Sequence, residues 1–461
     1  MLNRLSTLYS GAPSLARFVP SVLVLCLIGC GGASSPSASI APPLPEPTTG
    51  ILRSFFGMQC GTGSTNCPDN GNNPPTPQWP TSVAQPGLLR LWDSQVSWSY
   101  LMAGPGNYNF AQLDGYLDDI AAHQPLVVNY VFGCVPSFIA PSGTSGTTPG
   151  SCGTNGSAAP PTDLTSSGSA TFNEFVTTLI NHCSPAGNCV KTLITGYELW
   201  NEANVSSGPG VRWTGTQGQL YQMVAPAVTI IKANISDAKI FTPSITGGGG
   251  SWMTGWLNAE VAGGIISNRY NIHEYLNNGL PEDVLSGANS DLAPDAGTAG
   301  WTPVPWVMTE TGYDDITIPY SCNAGNTGIP YSTPDCIGQM VRWDILLFAQ
   351  GSSGLYWYYW NTYIGSDPQY ATAYSSMMLY LVGGTFSGPC SFTTSGGVQT
   401  WTCSFIESNG TAAQFVWTTS ESGTTYIVPT GYTDYRDLSG GTTTVTAGQT
   451  ITIGVEPFML E

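Results

Sequence analysis

Two glutamates each end an apolar run of the sequence, at positions where packing does not require a charge. Glu202 follows Trp200 and Asn201 in YELWNEANV, and Glu310 follows WVMT. If the two carboxyl groups face one another, one can be protonated and assist a leaving group while the other is ionised and attacks. Their surroundings must then push the two pKa values apart. Cleavage of a glycosidic bond needs this chemistry.

Further polar and aromatic residues end other apolar runs. They are Arg90 and Asp93 in RLWD, His273 and Tyr275 in NIHEY, and Trp360 and Asn361 in WYYWN. The aromatic residues offer flat apolar faces, which suit the apolar faces of sugar rings. These side chains are useful to the two glutamates only if the fold brings the ends of the runs together.

Apolar runs and helical patterns alternate from residue 51 onward. Eight runs predict strands, at 54–60, 87–93, 124–133, 191–202, 239–245, 270–276, 305–312 and 354–361. Helical spacing predicts helices at 110–123, 172–182, 219–234, with Pro226 as a kink or break, and 336–350. Strand-then-helix repetition over 51–382 predicts an α/β fold, a closed (β/α)8 TIM barrel. An open doubly wound sheet is the alternative, although no GxGxxG motif follows a strand.

A barrel of this kind carries its active site at the carboxyl ends of its strands, so the polar residues above would meet at one mouth. Glu198 precedes Glu202 by four residues on one predicted strand, and we expect it deeper in the barrel, without a catalytic role. Trp200 alternates to the other side and should pack against helices. Insertions rich in Gly, Ser, Thr and Pro, at 141–171, 284–303 and 314–335, are expected to be functional loops.

The pattern changes at residue 383. Short runs rich in Thr, Val and Tyr, such as AAQFVWTT and QTITIGV, recur between Gly and Ser turns and show no long helical periodicity. We expect 383–461 to form a second domain, an antiparallel β-sandwich of seven or eight strands.

The N-terminal segment is predicted to direct export. Its charges are Arg4 and Arg17, and an apolar run of signal-peptide length follows, ending in Leu27-Ile28-Gly29-Cys30. This ending resembles a bacterial lipoprotein box, so we interpret 1–29 as a lipoprotein signal peptide and Cys30 as a lipid anchor. The Ser/Pro-rich stretch 30–50 predicts a tether. The protein would then be anchored at the outer membrane or cell surface. An ordinary cleaved signal, and a secreted protein, is the alternative.

The cysteines agree with export. Cys26 lies in the signal segment and Cys30 at the anchor, and the other ten of the 12 cysteines form neighbouring couples: Cys60/Cys67, Cys134/Cys152, Cys183/Cys189, Cys322/Cys336 and Cys390/Cys403. An even number in an exported chain predicts disulfides. Metal binding is the alternative, but the chain has no CxxC motif and three histidines in all.

Composition limits the partners. The formal net charge is −18, and removal of Arg4 and Arg17 leaves 9 basic against 29 acidic residues, a charge of −20. Nucleic-acid binding requires a basic face, and an acidic surface repels anionic lipid. We expect no nucleic-acid partner, and contact with a membrane only through the lipid anchor.

From about Gly57 to Trp360 the sequence resembles the retaining glycoside hydrolases of clan A, most of all family 39 and related bacterial (β/α)8-barrel enzymes. YELWNEANV is similar to the strand-4 motif, which implies Glu202 as acid/base and Asn201 as the contact to the sugar 2-hydroxyl. WVMTETGY is similar to the strand-7 motif, which implies Glu310 as nucleophile. The matches RLWD, HEY and WYYWN imply substrate-site roles for Arg90, His273, Tyr275 and Trp360.

The sequence departs from the family pattern at two places. Ala203 follows Asn-Glu where the family usually has Pro, and Phe138 stands where Pro-x-Trp would place Trp. The second departure leaves the family's substrate preference open for this chain, while the chemistry is unaffected.

The resemblance implies a retaining glycosidase that cleaves a β-linked oligo- or polysaccharide by double displacement, with no cofactor and no metal. An exo-acting β-xylosidase or arabinofuranosidase is an alternative within the same chemistry. A catalytically inactive carbohydrate-binding surface lipoprotein is the alternative outside it, and a purely structural surface lipoprotein would not need the polar residues at the strand ends.

Overall fold

Eight parallel strands line up in chain order in the computed structural model, which describes residues 49–59, 85–144, 156–208, 210–276, 280–313, 334–358, 364 and 367–461. The strands are β1 (Phe56–Met58), β2 (Leu88–Leu91), β3 (Val127–Val131), β4 (Gly196–Glu198), β5 (Lys239–Phe241), β6 (Tyr270–Tyr275), β7 (Trp306–Gly312) and β8 (Leu355–Trp357). All eight overlap the strands predicted from the apolar runs.

The sheet is a nearly closed barrel. Its hydrogen-bonded order is β6-β7-β8-β1-β2-β3-β4-β5, with each pair parallel. Two isolated parallel bridges, Phe241 to Arg269 and Thr246 to His273, join the β5 side to the β6 side. The predicted (β/α)8 barrel is confirmed.

Helices cover the outside of the barrel. They are α1 (Ala111–Ala122), α2 (Ala170–Asn181), α3 (Gln217–Asn234), α4 (Gly250–Gly263), α5 (Pro281–Gly297), α6 (Pro334–Ala349) and α7 (Pro368–Leu381). In α1 the buried residues are Leu113, Tyr116, Leu117 and Ile120, the face that helical spacing predicts. A capping box between Thr216 and Gln219 begins α3. That helix continues through Pro226, so the predicted break is absent.

The insertion predicted at 284–303 is wrong for most of its length, because α5 occupies Pro281–Gly297. Pro281 at the first helical turn, with Glu282 and Asp283 behind it, is a favourable helix start. The high Gly, Ser and Pro content of the segment concealed this signal. Helices α4 and α7 were not predicted.

The predicted strand 191–202 is also shorter than expected. Val190–Leu193 is a helical turn, and β4 ends at Glu198. Asn201 and Glu202 therefore lie in the loop that leaves the barrel strand. Other short elements of the barrel region are Arg53–Phe55 (3-10 helix), Trp98–Leu101 (helix), and the paired strands Met102–Gly104 with Asn107–Tyr108 and Val135–Pro136 with Gly156–Ser157.

The C-terminal region is antiparallel, as predicted, and has nine strands where seven or eight were expected. They are β9 (Thr385–Phe386), β10 (Ser391–Ser395), β11 (Val398–Ile406), β12 (Ala412–Thr418), β13 (Thr424–Ile427), β14 (Asp434–Arg436), β15 (Thr442–Thr444), β16 (Thr450–Ile453) and β17 (Phe458–Leu460). Seven form one sheet, in the order β9-β11-β12-β17-β14-β15 with β10 beside β11, and β13 pairs with β16.

Two of the predicted disulfides lie wholly within the described residues, and both are present: Cys183–Cys189 and Cys390–Cys403. Cys134 and Cys336 are also disulfide-bonded. Their predicted partners, and Cys60 with Cys67, lie outside the described residues. Disulfides of this kind form in oxidising compartments outside the cytoplasm. Among the described helices, none combines the length and apolarity needed to cross a bilayer.

Candidate active site

Arg90 on β2 is the centre of a buried polar cluster inside the barrel. Its Nε and Nη2 donate to the two oxygens of Glu198, at 3.0 and 2.8 Å. Nη1 donates to Gln59 Oε1 at 2.5 Å and to Glu310 Oε2 at 2.6 Å, and Nη2 also donates to Asn201 Oδ1 at 2.6 Å. All five N–H groups of the guanidinium therefore have acceptors. Burial opposes the charge, but Glu198 and Glu310 outweigh it and raise the pKa of Arg90.

Glu310, on β7, is 7% exposed and accepts hydrogen bonds on both oxygens. Arg90 Nη1 and Gln59 Nε2 donate to Oε2, the latter at 3.3 Å, and the Tyr275 hydroxyl donates to Oε1. Burial favours the neutral acid, but the charges of His273 and Arg90 and the bonds from Tyr275 and Arg90 outweigh it. The pKa of Glu310 is lowered. This carboxyl group is held as an anion.

Glu202 lies in the loop after β4, and its side chain is 15% exposed. Its backbone is in the left-handed region, with φ of 44°, and its N–H donates to Ser244 Oγ at 2.8 Å. A non-glycine residue in this conformation is held there by its surroundings, and such strain is common at functional sites. Oε1 lies 3.2 Å from His273 Nδ1, and Oε2 lies 3.6 Å from Arg212 Nε.

The hydrogen bonds around His273 define its tautomer. Thr309 Oγ1 donates to Asn271 Oδ1 at 2.8 Å, so its oxygen is free to accept from His273 Nε2 at 2.9 Å. Arg90 Nη2 also lies 3.4 Å from Nε2, but both of its hydrogens already have acceptors. The Nε2 atom therefore carries a hydrogen, and Nδ1 is left to share a proton with Glu202.

Glu202, His273 and Glu310 each offer one atom to a common point, and these atoms lie within 4.8 Å of one another. The spacing could hold a cation, but the fixed positive charge of Arg90, 2.6 Å from Glu310 Oε2, disfavours one. Paired acid–base chemistry between the two carboxyl groups fits the surrounding charges better.

Asn201 is buried beside the two glutamates. Its Oδ1 accepts from Arg90, while Nδ2 has no hydrogen-bond partner among the described residues. At the same mouth the Tyr358 hydroxyl donates to Asp93 Oδ2 at 2.6 Å. Trp360 and Asn361 lie outside the described residues.

Of two further neighbours of the glutamates, Glu198 takes the place expected for it and Trp200 is buried as expected, although its ring packs on a loop residue. Glu198 is fully buried in the barrel interior, where it also accepts from Asn129 Nδ2 at 3.3 Å. Trp200 is buried, with its ring centre 5.1 Å from that of Trp213.

Sequence reasoning missed several residues of the cluster: Gln59, Asn129, Ser244, Asn271, Thr309 and Arg212. Gln59 follows β1 directly, so its place at a strand end was the available signal. Arg212 opens RWTGT, which resembles a family segment that follows the acid/base, and this was its available signal. Nothing in the local sequence marks Ser244.

No protein-family model and no curated protein sequence matches this chain. Solved structures do match. A glucosidase from Croceicoccus marinus is 12% identical, with a TM-score of 0.56 over 92% of this chain and 97% of that one. A family 39 glycoside hydrolase from Bacteroides cellulosilyticus WH2 is 16% identical, with a TM-score of 0.53 over 81% of this chain and 75% of that one.

The chain shares its fold with glycoside hydrolases. At these identities the likeness is one of fold, and it agrees with the resemblance carried by the strand-4 and strand-7 motifs. The roles of the residues must be argued from the geometry of the site.

Proposed function

We propose that the protein is a retaining glycoside hydrolase that cleaves a β-linked oligo- or polysaccharide, with Glu310 as nucleophile and Glu202 as acid/base. The approach of their carboxylate oxygens to within 4.8 Å carries the proposal. Retaining enzymes hold the two carboxyl groups about 5–5.5 Å apart, whereas inverting enzymes need about 6.5–9.5 Å for a water molecule between carboxylate and sugar.

Glu310 suits the nucleophile because its surroundings favour the anion. It is buried, its pKa is lowered, and Arg90, Gln59 and Tyr275 donate hydrogen bonds to it. A carboxylate that must attack an anomeric carbon has to be ionised before the substrate binds. These donors also hold its two oxygens in a fixed orientation.

Glu202 suits the acid/base because its proton has a nearby partner. His273 Nδ1 lies 3.2 Å from Oε1, so the imidazole and the carboxyl group can share one proton. A protonated Glu202 can therefore donate to Nδ1 until a glycosidic oxygen takes its place. Its partial exposure lets water enter for the second step.

Two balanced steps follow. In the first, Glu310 forms a bond to the anomeric carbon, the glycosidic C–O bond breaks, and Glu202 gives its proton to the leaving oxygen. In the second, Glu202 takes a proton from water, the water oxygen bonds to the anomeric carbon, and Glu310 leaves as a carboxylate. The unpartnered Nδ2 of Asn201 is placed to donate to a sugar hydroxyl throughout.

The remaining sequence predictions belong to the same proposal. The barrel domain would span 51–382, the C-terminal antiparallel region 383–461 would be a β-sandwich, and the segments 1–29 and 30–50 would serve as signal peptide and tether. Trp360 would add a stacking surface for sugar. The enzyme would work outside the cytoplasm, held by lipid on Cys30.

The experiment is a panel of aryl β-glycosides and β-linked oligosaccharides, followed by proton NMR of the first product formed. We expect turnover with the β-anomer released first, and product sizes that separate endo from exo action. A protein that binds glycans but turns over none of the panel would contradict the proposal, as would initial release of the α-anomer.

A further inference from the structure

Arg212 places a second guanidinium group beside the carboxyl pair. Its Nε lies 3.6 Å from Glu202 Oε2, and its side chain is 18% exposed. Nε and Nη1 are buried and have no hydrogen-bond partner among the described residues. Two buried donors left without acceptors are costly, so a guanidinium in this position needs a use that offsets the cost.

The backbone around Arg212 is fixed on both sides. Its N–H donates to the Val205 carbonyl at 2.8 Å, and its own carbonyl accepts from Trp200 Nε1 at 3.0 Å. Trp200 and Trp213 pack edge to face, and both are buried. The two tryptophans therefore fasten this segment to the loop that carries Glu202, and the Arg212 side chain has little freedom to leave the carboxyl group.

Glu202 is thus held at three points. Ser244 Oγ accepts from its backbone N–H at 2.8 Å, His273 Nδ1 lies 3.2 Å from Oε1, and Arg212 Nε lies 3.6 Å from Oε2. The first two contacts still leave the carboxyl plane free to turn about its last bond. A donor on Oε2 would stop this rotation.

We infer that Arg212 is a positioning residue that orients the Glu202 carboxyl group, so that Oε1 serves as proton donor and then as proton acceptor. The inference rests on the proposed function. The gap of 3.6 Å closes to a hydrogen bond by a shift of a few tenths of an ångström, and catalytic hydrogen bonds are often long before substrate binds.

If Arg212 acts only through Glu202, its substitution should slow only the reaction steps that need Glu202. Natural substrates need the acid in the first step, so Arg212→Met should lower their kcat/KM about 10–100-fold, part of the about 10²–10⁴-fold that general acid catalysis supplies. Aryl glycosides with a very good leaving group need no acid, and their kcat/KM should change less than about 3-fold. Their kcat should still fall, because the second step needs the base.

The test is a double-mutant cycle with both substrate types. Arg212→Met is made in the wild type and in Glu202→Ala, with Arg212→Lys as the conservative variant and Lys232→Met as a matched loss of a cation. Lys232 lies on α3, where its Nζ donates to the Ile266 carbonyl, away from the site. Circular dichroism and melting temperature establish that each variant is folded.

We expect Arg212→Met to have less than about a 3-fold effect in the Glu202→Ala background, since coupled residues are not additive. In the single variant Arg212→Met, azide should restore the lost kcat on the activated glycoside. Arg212→Lys should lose less activity than Arg212→Met, and Lys232→Met should match the wild type. Equal losses of kcat/KM on the natural and the activated substrates would overturn the inference, as would a further loss of kcat/KM when Arg212→Met is added to Glu202→Ala. So would a rise in KM alone, which would make Arg212 a contact to the leaving-group sugar.

Failure of the proposed function would look different. In that case the wild type would not turn over the aryl glycosides, or Glu202→Ala would slow natural and activated substrates alike. Both results would be seen in the wild type and in Glu202→Ala, before any variant of Arg212 is measured, so the two failures can be told apart.

Discussion

Arg90 and Glu198 form a buried two-point ion pair beneath the carboxyl pair, with N to O distances of 3.0 and 2.8 Å and no exposure of either side chain. Glu198 offsets one guanidinium charge and leaves the other face of Arg90 to hold Glu310. A cation that serves two glutamates links the stability of the barrel to the charge of Glu310, the proposed nucleophile.

Loss of Glu198 should therefore cost much stability. Glu198→Gln removes the charge that compensates Arg90, and breaking a buried ion pair typically costs about 3–5 kcal/mol. Because Arg90 keeps Glu310 as a partner, we expect a loss of about 2–4 kcal/mol in the free energy of unfolding. Urea denaturation measures it. The exposed Glu421→Gln is the control and should stay within about 0.5 kcal/mol. A variant as stable as the control would contradict this account.

The hydrogen bond from Tyr275 to Glu310 should determine the pH at which kcat/KM falls on the acidic side. Burial alone would raise the pKa of Glu310, and His273, Arg90 and the Tyr275 hydroxyl together lower it. A nucleophile with a lowered pKa stays ionised to low pH. Tyr275→Phe removes one donor, so the acid limb of kcat/KM should move to higher pH by about 1–2 units, since a hydrogen bond to a charged group is worth about 1.5–3 kcal/mol. Tyr426→Phe, in the C-terminal region, should leave the limb in place. An acid limb unchanged in Tyr275→Phe would mean that this hydroxyl does not stabilise the anion.

Asp344 on α6 should make the fold lose stability as pH rises above the usual pKa of an aspartate. It is buried, Oδ1 has no hydrogen-bond partner in the described part of the chain, and burial raises its pKa well above the usual value. A raised folded-state pKa contributes stability that is present below the unfolded-state pKa and is lost as pH rises through the folded-state pKa. Asp344→Asn cannot ionise, so its melting temperature should fall less steeply than that of the wild type as pH rises above the unfolded-state pKa.

The gain in Asp344→Asn at high pH should be about 1–3 kcal/mol, the cost of an unpaired buried polar group. The exposed Asp237→Asn is the control and should follow the wild-type pH dependence. Parallel pH profiles for wild type and Asp344→Asn would show that folding does not raise the pKa of Asp344, and would contradict this prediction.

The lipid anchor is testable apart from the chemistry. If Cys30 carries lipid, Cys30→Ala should release the protein from the membrane fraction and leave hydrolysis unchanged, because a tether separates Cys30 from the barrel. Fractionation followed by an activity assay measures both. A Cys30→Ala protein that still sediments with membranes would exclude this anchor, and Cys26→Ala serves as the control.

The parts of the structure that local patterns determine were predictable. The apolar runs located all eight barrel strands, and strand-end polarity picked out both glutamates. Helix α5 was missed because a good first turn at Pro281 is followed by residues that favour loops. The left-handed backbone of Glu202 also escaped, since it depends on Ser244, on a different loop.

The support around the glutamates was not predictable, because closure of the barrel creates it. Gln59 and Glu310 are 251 residues apart in the chain and 3.3 Å apart in the fold. Arg212 meets Glu202 through the packing of Trp200 on Trp213, a contact that no periodicity encodes. Long-range polar contacts of this kind require the three-dimensional structure.

The division of labour between the glutamates is tested most directly by the configuration of azide products. Glu310→Ala should lose the nucleophile, so azide fills the gap and gives a glycosyl azide of inverted configuration. Glu202→Ala should still load an activated aryl glycoside onto Glu310, and azide should then give the retained anomer. Proton NMR of the two products decides. Opposite anomers are the predicted result, and the same anomer from both variants would contradict the assignment of Glu310 and Glu202.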